Sequence, residues 1–339
     1  MKVCMVIASL ARVGGVESVV RQCADALVDQ GCKVTIVTFD AADAAQVSST
    51  DRFEVVTVPS RRFHDYDQRR AGRNASTALS LLRALFSPEA ALELAETIAG
   101  QGPDVIHTHK IRGMPLGTWS ALDRICTAPL VHGCHDVELL LPAMTWSLSP
   151  EGMLRRAATR LWQAWHRRAT QAVVMSLFPS RFLREAHLEH GFFAKAEARV
   201  IPNPVVAALH EPQSQEFRSL GPMRVVYIGR LSPEKGVREL IGAFEDLART
   251  GPVITLRIAG SGTLEESVRS AAGRVETIEY VGFADPELKR ELLEWADLVI
   301  VPSQCDEGFG LVAAEAIAAG TPVVVSRRGA LPELVTENR

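Results

Sequence analysis

The sequence lacks the cysteine pattern of a metal-bound or disulfide-linked protein. Six cysteines occur in 339 residues, and no two of them form the Cys-x2-Cys pair that is typical of zinc sites. They are Cys4, Cys23, Cys32, Cys126, Cys134 and Cys305. Scattered free thiols fit a reducing compartment, so the sequence predicts a cytoplasmic protein without structural zinc or disulfides.

A strong charge excess and a long apolar run are also absent. The formal net charge is −3, which argues against a nucleic-acid-binding protein. Residues 1–212 carry 23 Lys and Arg against 21 Asp and Glu, and residues 213–339 carry 14 against 19, so the two parts differ only mildly, at +2 and −5. No segment approaches the ~20 apolar residues that span a bilayer. The apolar start at residues 1–11 is short enough to be a first strand rather than a signal peptide.

The dinucleotide-binding fingerprint Gly-x-Gly-x-x-Gly is missing where it would be expected. After the first predicted strand the chain has Val13-Gly-Gly-Val-Glu-Ser18, whose glycine spacing does not match that fingerprint. Asp40, at the end of the second predicted strand, stands where a dehydrogenase has its ribose-binding acid; its alternative role is that of a turn residue. A nucleotide-dependent dehydrogenase is therefore the weaker of two α/β interpretations.

The sequence does have a regular alternation of apolar strands and helical stretches, which predicts parallel sheets with helices on both faces. The length, with 47% hydrophobic residues, is enough for two cores. We predict an α/β protein of two doubly wound, Rossmann-like domains, residues 1–204 and 223–339, joined by a linker over 205–222. The predicted strands are Val3–Ala8, Lys33–Phe39, Phe53–Val58, Asp104–Thr108, Pro129–His132, Gln171–Ser176, Met223–Gly229, Val253–Ala259, Ile278–Phe283, Ala296–Pro302 and Thr321–Ser326.

A glycine-rich turn and an apolar helix after the strand at Ala296–Pro302 form the most informative stretch. Glu307 precedes the turn, and Glu315 lies within a predicted helix over Leu311–Ala319. That helix is nearly all Ala, Leu, Val and Ile, which predicts burial on every side. A carboxylate there needs donors, and we expect hydroxyl groups to supply them. The alternative is that Glu315 pairs with a distant arginine and that Glu307 only favours the helix start.

Two cations follow the first strand of the second domain. Arg230 and Lys235 lie in the loop that leads from this strand to the next helix. An arginine fork and a lysine point charge at such a place can hold a diphosphate. Taken alone, they could equally form an exposed surface pair.

Both stretches resemble motifs of one family. The run Gly-Phe-Gly-Leu-Val-Ala-Ala between Glu307 and Glu315 is similar to the Glu-x7-Glu signature of the retaining glycosyltransferases of family 4, and Gly-Arg-Leu-Ser-Pro-Glu-Lys-Gly around Arg230 and Lys235 is similar to that family's second motif. The resemblance implies the GT-B fold, in which two Rossmann-like domains face a cleft. It implies that Glu307 holds sugar hydroxyls, that Glu315 holds the ribose, and that both cations stabilise the leaving diphosphate without a metal.

Further donor contacts come from backbone at strand ends. Gly14 and Gly15 allow the amides at a helix start to face an anion, and with Glu17 they match the family's Gly-Gly-x-Glu turn near the donor diphosphate. In the second domain, the resemblance implies that the backbone near Gly282 contacts the base of the donor. It implies that the amides of the glycine-rich turn contact the donor sugar. The predicted donor-binding residues there are Gly229, Gly282, Gly308, Phe309, Gly310, Leu311 and Glu315.

Four histidines lie at the ends of two neighbouring predicted strands: His107, His109, His132 and His135. Side chains at the carboxyl ends of parallel strands line the crevice where such sheets bind ligands. Zinc is conceivable, but no thiolate pair supports it, and a histidine at a strand end is more often a packed residue. The resemblance favours a role for His135, because His135-Asp136 matches a His-Asp pair of the family near the reacting sugar.

Two basic segments can each be interpreted either as a solvated surface or as a membrane contact. The arginine-rich residues 60–87 could contact anionic lipid or an anionic acceptor, and the amphipathic stretch 154–168, with two tryptophans, could lie on a membrane surface. The preferred interpretation is a solvated surface in both, with the tryptophans of 154–168 packed inward. Asp-Tyr-Asp at residues 65–67 is not a predicted metal site, because it does not follow an apolar strand.

The resemblance implies an enzyme that moves a sugar, with retention, from a UDP- or GDP-linked donor to a hydroxyl acceptor such as a lipid-linked or polysaccharide precursor. No metal, other cofactor or nucleic acid is expected, and the inner membrane face is a candidate peripheral contact. A nucleotide-sugar epimerase and a non-catalytic nucleotide-sugar binder stay open as alternatives. The second arises because members of the family continue beyond the point reached at Arg339, so that the second domain is expected to be incomplete.

Overall fold

The structure is a computed structural model that describes residues 1–10, 14–39, 52–58, 87–110, 114–141, 152–205, 221–252 and 254–335. Most of the predicted linker lies outside these residues, and so do Asp40, residues 65–67 and all but the last residue of the arginine-rich segment. The chain divides into two compact units, Met1–Pro204 and Val205–Arg339.

The first unit is built on a seven-stranded sheet in the order β3-β2-β1-β4-β5-β6-β7. All of its strand pairs are parallel. The strands are β1 (Lys2–Val6), β2 (Lys33–Thr38), β3 (Glu54–Thr57), β4 (Val105–His109), β5 (Leu130–Gly133), β6 (Met175–Phe178) and β7 (Glu197–Val200). The helices are α1 (Gly15–Asp29), α2 (Pro88–Gln101), α3 (Thr118–Ile125), α4 (Met153–Ala169) and α5 (Arg181–Glu189).

Local sequence accounts for several of these helix boundaries. The side chain of Ser87 accepts a hydrogen bond from the amide of Ala90 at the start of α2, with proline at the first helical position. Ser180 caps α5 in the same way through the amide of Leu183. Such caps satisfy amides that have no partner inside the helix. Two buried clusters, one around Met5 and Ile36 and one around Val6 and Ile106, pack the sheet against helices.

The second unit has a five-stranded sheet in the order β10-β9-β8-β11-β12, again with parallel pairs throughout. The strands are β8 (Met223–Ile228), β9 (Ile254–Ala259), β10 (Ile278–Gly282), β11 (Leu298–Val301) and β12 (Val323–Val325). The helices are α6 (Val237–Thr250), α7 (Glu265–Arg274), α8 (Pro286–Trp295), α9 (Leu311–Ala318) and α10 (Leu331–Leu334).

Alternate residues of the central strand of this sheet belong to different cores. Val225 and Tyr227 pack in one buried cluster, whereas Val226 packs in another with Ala259 and Val299. Successive side chains of a strand point to opposite faces, so both faces of the sheet are covered. The predicted architecture of two doubly wound parallel-sheet domains is confirmed in each unit.

Three expectations were wrong in detail. Strand β6 begins at Met175 rather than at Gln171, because residues Thr170–Ala172 form a 3-10 turn at the end of α4. Strand β7 was not predicted. Helix α9 is not buried on every side: its buried residues are Ala313 and Ala316, whereas Ile317 is 45% exposed. None of the helices in the described part of the chain has both the length and the apolar composition needed to cross a bilayer.

Candidate active site

In the second unit, the predicted site residues follow the two strands where the sheet reverses its order. Chain order runs outward from β8 through β9 to β10 on one side and from β11 to β12 on the other. In such sheets the crevice beyond the carboxyl ends of the two central strands is the usual ligand position. Arg230 and Lys235 follow β8, and Glu307 follows β11.

A tyrosine of β8 forms a hydrogen bond to the loop that follows the strand. The hydroxyl of Tyr227 donates to the carbonyl oxygen of Arg230 at 2.8 Å. Burial, followed by the nearby carboxylate of Glu307, raises the pKa of Tyr227, so its hydroxyl stays protonated and keeps donating. The side chain of Arg230 is itself 59% exposed, 3.9 Å from Glu234.

The loops after β8 and β11 are joined through their backbones. The amides of Gln304 and Cys305 both donate to the carbonyl oxygen of Glu234, at 2.9 and 3.1 Å. Gly236 lies in the left-handed region with φ 73°, and a Cβ there would overlap the carbonyl oxygen of Pro302. Only glycine allows this close approach, which brings Lys235 next to the β11 loop.

Lys235 and Glu307 meet at the centre of the candidate site. The Nζ of Lys235 lies 2.5 Å from Oε1 of Glu307, and the hydroxyl of Ser303 donates to the same oxygen at 2.5 Å. The side chains of Lys235 and Glu307 are 25% and 16% exposed, so the pair is largely shielded from water. A lysine and a carboxylate predicted from separate motifs are therefore in direct contact.

The carboxyl ends of β8, β9 and β10 are in close contact at three glycines. A Cβ added to Gly260 would overlap the carbonyl oxygen of Gly229, and the Gly260 amide donates to the carbonyl oxygen of Gly282 at 2.7 Å. Gly282 has φ 86° and lies at a register shift between β10 and β9. The predicted donor residues Gly229 and Gly282 thus belong to one layer of closely packed backbone.

The turn before α9 has the predicted form. Gly310, with φ 93°, is the residue before the first helical position at Leu311, and a Cβ there would crowd the side chain of Leu331. Phe309 is 8% exposed. The backbone of Glu307 is fixed from the other side, since its carbonyl oxygen accepts from the amide of Ala330 at 2.8 Å.

The prediction that hydroxyl groups donate to Glu315 was wrong. The Nζ of Lys289, on α8, lies 2.7 Å from Oε1 of Glu315, so an ammonium group rather than a hydroxyl satisfies this oxygen. The second oxygen, Oε2, is buried and has no hydrogen-bond partner among the described residues. A buried carboxylate oxygen that lacks a donor there can accept a hydrogen bond from a ligand.

In the first unit, the glycine turn at α1 carries its own ion pair. Gly14 precedes the helix and Gly15 is its first residue. The carboxylate of Glu17, which is 6% exposed, folds back over Gly14, where a Cβ would overlap it. Lys110, directly after β4 and with φ 38°, lies 3.5 Å from Glu17.

The four strand-end histidines form one cluster. His109 Nδ1 and His135 Nε2 are 3.0 Å apart, the rings of His107 and His109 are 3.9 Å apart, and His132 bonds to Thr108. Burial, the largest cause in each case, lowers the pKa of His107 to about 4 and that of His135 to about 3. The predicted contact residue His135 is thus a neutral side chain held by a second histidine.

Buried histidines make stability depend on pH. Burial also lowers the pKa of His187, which is fully enclosed, to about 4 from 6.5. The unfolded chain binds this proton below pH ~6.5 and the folded chain does not until about pH 4, so stability is complete above that window and is lost as the pH falls through it. The lowered pKa of His187 should therefore cost the folded state about 1.4 kcal/mol between pH 7.5 and 5.5.

Urea unfolding of wild type and His187→Gln at both pH values tests this prediction. The variant should lose about 1.4 kcal/mol less than wild type on going from pH 7.5 to 5.5. An equal loss in both proteins would contradict the assignment to His187.

Sequence reasoning missed the two lysines Lys289 and Lys110, which pair with Glu315 and Glu17. It also missed the hydrogen bond from the Tyr227 hydroxyl to the loop after β8. Topology could have found Lys110, because β4 neighbours β1 and their carboxyl ends meet at the start of α1. Lys289 precedes Glu315 by 26 residues, and no local pattern joins them. Within the described ranges, no three His, Cys, Asp or Glu side chains are grouped so that they could hold a metal ion.

Comparison with known proteins places this arrangement in a family. A family model described as Glycosyltransferase Family 4 matches residues 13–209, and one described as Glycosyl transferases group 1 matches residues 211–339. An uncharacterized 42.6 kDa protein in the cps region of Klebsiella pneumoniae is 23% identical over 325 residues, which are 95% of this chain and 84% of that protein.

A second relative is matched over a shorter length. Glycogen synthase of Mycobacterium tuberculosis is 34% identical over 236 residues, which are 69% of this chain and 54% of that enzyme; the chain therefore spans about half of this relative. Among solved structures, Anabaena HepE in complex with UDP superposes with a TM-score of 0.69 and 22% identity, covering 99% of this chain and 84% of that one. The two matched family models together with this fold show that the chain belongs to glycosyltransferase family 4 and has its GT-B architecture.

Proposed function

We propose that this chain transfers a sugar from a nucleoside-diphosphate sugar to a hydroxyl acceptor, with retention of the anomeric configuration. The observation that carries the proposal is the contact of Lys235 with Glu307 at the carboxyl ends of the two central strands, at 2.5 Å. It brings a cation for a leaving phosphate next to a carboxylate for sugar hydroxyls. Family membership supports the same reaction.

Each charged group has a distinct role in this proposal. Arg230, which is mostly exposed, and Lys235 neutralise the charge that develops on the leaving diphosphate, a role that fixed cations perform without a metal. Glu307 orients the sugar. Glu315 accepts from the ribose hydroxyls through Oε2, which is buried and to which no residue of the described ranges donates. In the first unit, His135 and the turn at Gly14 and Gly15 contribute contacts to sugar and phosphate.

UDP is the first donor nucleotide to examine. HepE, which has the same fold, is solved with UDP and with UDP-glucose. A lipid-linked or polysaccharide hydroxyl is the acceptor class that we propose. Product analysis with UDP-sugars in the absence of acceptor separates this proposal from an epimerase, which would convert the donor without a second substrate.

Replacing Arg230 by alanine should weaken the binding of UDP or GDP by roughly ten- to a hundredfold, because a charge-assisted hydrogen bond to phosphate contributes about 1.5–3 kcal/mol. Titration calorimetry of the full chain measures the affinity for each nucleotide. Arg238→Ala is the matched control, since Arg238 is exposed on the first turn of α6. Equal affinities for wild type and Arg230→Ala would argue against the proposed phosphate contact.

A further inference from the structure

Helix α4 presents an apolar strip to solvent. Leu154, Leu161 and Trp165 are 84%, 74% and 51% exposed, whereas an ordinary surface helix turns its leucines toward the core. We call these three residues the α4 strip. The preferred sequence-based interpretation, with both tryptophans packed inward, was only half right. Trp162 is half-buried and donates to the carbonyl oxygen of Glu138 at 3.1 Å, but Trp165 is exposed.

The three residues share one face of the helix. They are spaced at i, i+7 and i+11, which places them within about 40° of one another at 100° per residue. The helix is anchored on another side: Thr159 and His166, roughly 120–140° around the helix from the middle of the strip, are buried. Because the inner face is fixed, rotation of the helix cannot hide the strip, which runs for about 16 Å along its axis.

The charge of the helix is of one sign. Met153–Ala169 contains five arginines and no aspartate or glutamate, although the whole chain has a net charge of −3. Arg168 is exposed and lies seven residues after Leu161, next to the strip, and Arg160 is exposed further around the helix. The apolar strip therefore has positive charge along one side.

We propose that the α4 strip docks on the surface of a bilayer that contains anionic lipid. A helix lying in the interface inserts leucine and tryptophan among the headgroups while its arginines contact lipid phosphates. The charge of α4 favours this occupant over a second copy of the chain, because a symmetric contact would bring two sets of five arginines together. The proposal goes beyond the transfer reaction and does not depend on it.

Vesicle flotation of the full chain tests the apolar part of the proposal. Wild type should bind vesicles of phosphatidylglycerol and phosphatidylcholine at 3:7 at least tenfold better than vesicles of phosphatidylcholine alone. Leu161→Glu should reduce binding to the anionic vesicles at least tenfold, and because Leu161 is exposed the fold should tolerate the change. Leu92→Glu, at a partly exposed leucine of α2, is the matched control and should bind as wild type does.

A charge variant tests the arginines. Arg160→Gln with Arg168→Gln should weaken binding to the anionic vesicles more than tenfold, since each arginine near an anionic surface contributes roughly a fivefold factor. Lys195→Gln with Arg238→Gln removes the same charge from exposed positions elsewhere and should have little effect.

Three results would overturn the proposal. They are an absence of wild-type binding, equal binding to neutral vesicles, and unchanged binding by Leu161→Glu. Sedimentation velocity identifies the competing occupant: a wild-type dimer that Leu161→Glu dissociates, together with no vesicle binding, would assign the strip to a second copy of the chain.

Discussion

Replacing Glu307 by glutamine is expected to lower kcat by a factor of about 10²–10³, the usual effect of removing one preorganised polar group that acts in the transition state. The carboxylate is fixed by Lys235 and by Ser303, both at 2.5 Å from Oε1. Glutamine preserves the shape of the side chain but not its charge. It therefore removes the strong acceptor for sugar hydroxyls and leaves the surroundings in place.

Steady-state kinetics with UDP-sugar donors, together with UDP calorimetry, measure this effect. Lys235 loses its anionic partner in the variant, so UDP should bind as tightly as to wild type or more tightly while turnover falls. Glu234→Gln is the matched control, because Glu234 lies beside Lys235 in the loop after β8 but its side chain is 45% exposed. Full turnover by Glu307→Gln would exclude the proposed role, and loss of UDP binding together with turnover would point to a disrupted loop instead.

Replacing Gly260 by alanine is expected to destabilise the second unit by about 4 kcal/mol, the range reached when backbone must move to relieve a steric overlap. The added Cβ would overlap the carbonyl oxygen of Gly229, and Gly260 has φ 145°, which side chains rarely adopt. Moving Gly260 away would also break its hydrogen bond to Gly282. The same layer of backbone carries the proposed donor contacts, so UDP affinity should fall as well.

Urea unfolding, followed through the transition of the second unit, measures the loss of stability. Gly242→Ala is the control, because nothing lies within 4 Å of a Cβ at this position inside α6. It should stabilise the helix by roughly 0.5–1 kcal/mol. A Gly260→Ala variant as stable as wild type would contradict this prediction, because it would show that the contact between the ends of β8 and β9 leaves room for a Cβ at residue 260.

The sequence predicted those parts of the fold that have a local cause. The alternation of apolar strands and helical stretches predicted the parallel sheets of both units. The contact of Lys235 with Glu307 was not predicted, but the sequence did assign both residues to loops that follow strands of the second sheet. These predictions needed only the period of the apolar residues and the rule that ligands lie at carboxyl ends.

Other features depend on partners that no single segment specifies. The composition of α9 predicted burial on every side, yet burial requires a neighbouring element on each side, and Ile317 is left 45% exposed. Glu315 pairs with a lysine on another helix, a contact created by packing alone. The exposed strip of α4 was missed for the same reason: an amphipathic pattern does not say which face turns inward.

The joined loops after β8 and β11 have a consequence for the dynamics of the second unit. These strands pair at only two register positions, Leu298 with Val225 and Val299 with Val226, whereas β8 pairs with β9 at six. The bonds from Gln304 and Cys305 to Glu234 therefore extend the shortest strand pairing of the sheet. Local opening that separates the two loops also frees the halves of the sheet, so amide hydrogen exchange in this region should occur as one cooperative event rather than residue by residue.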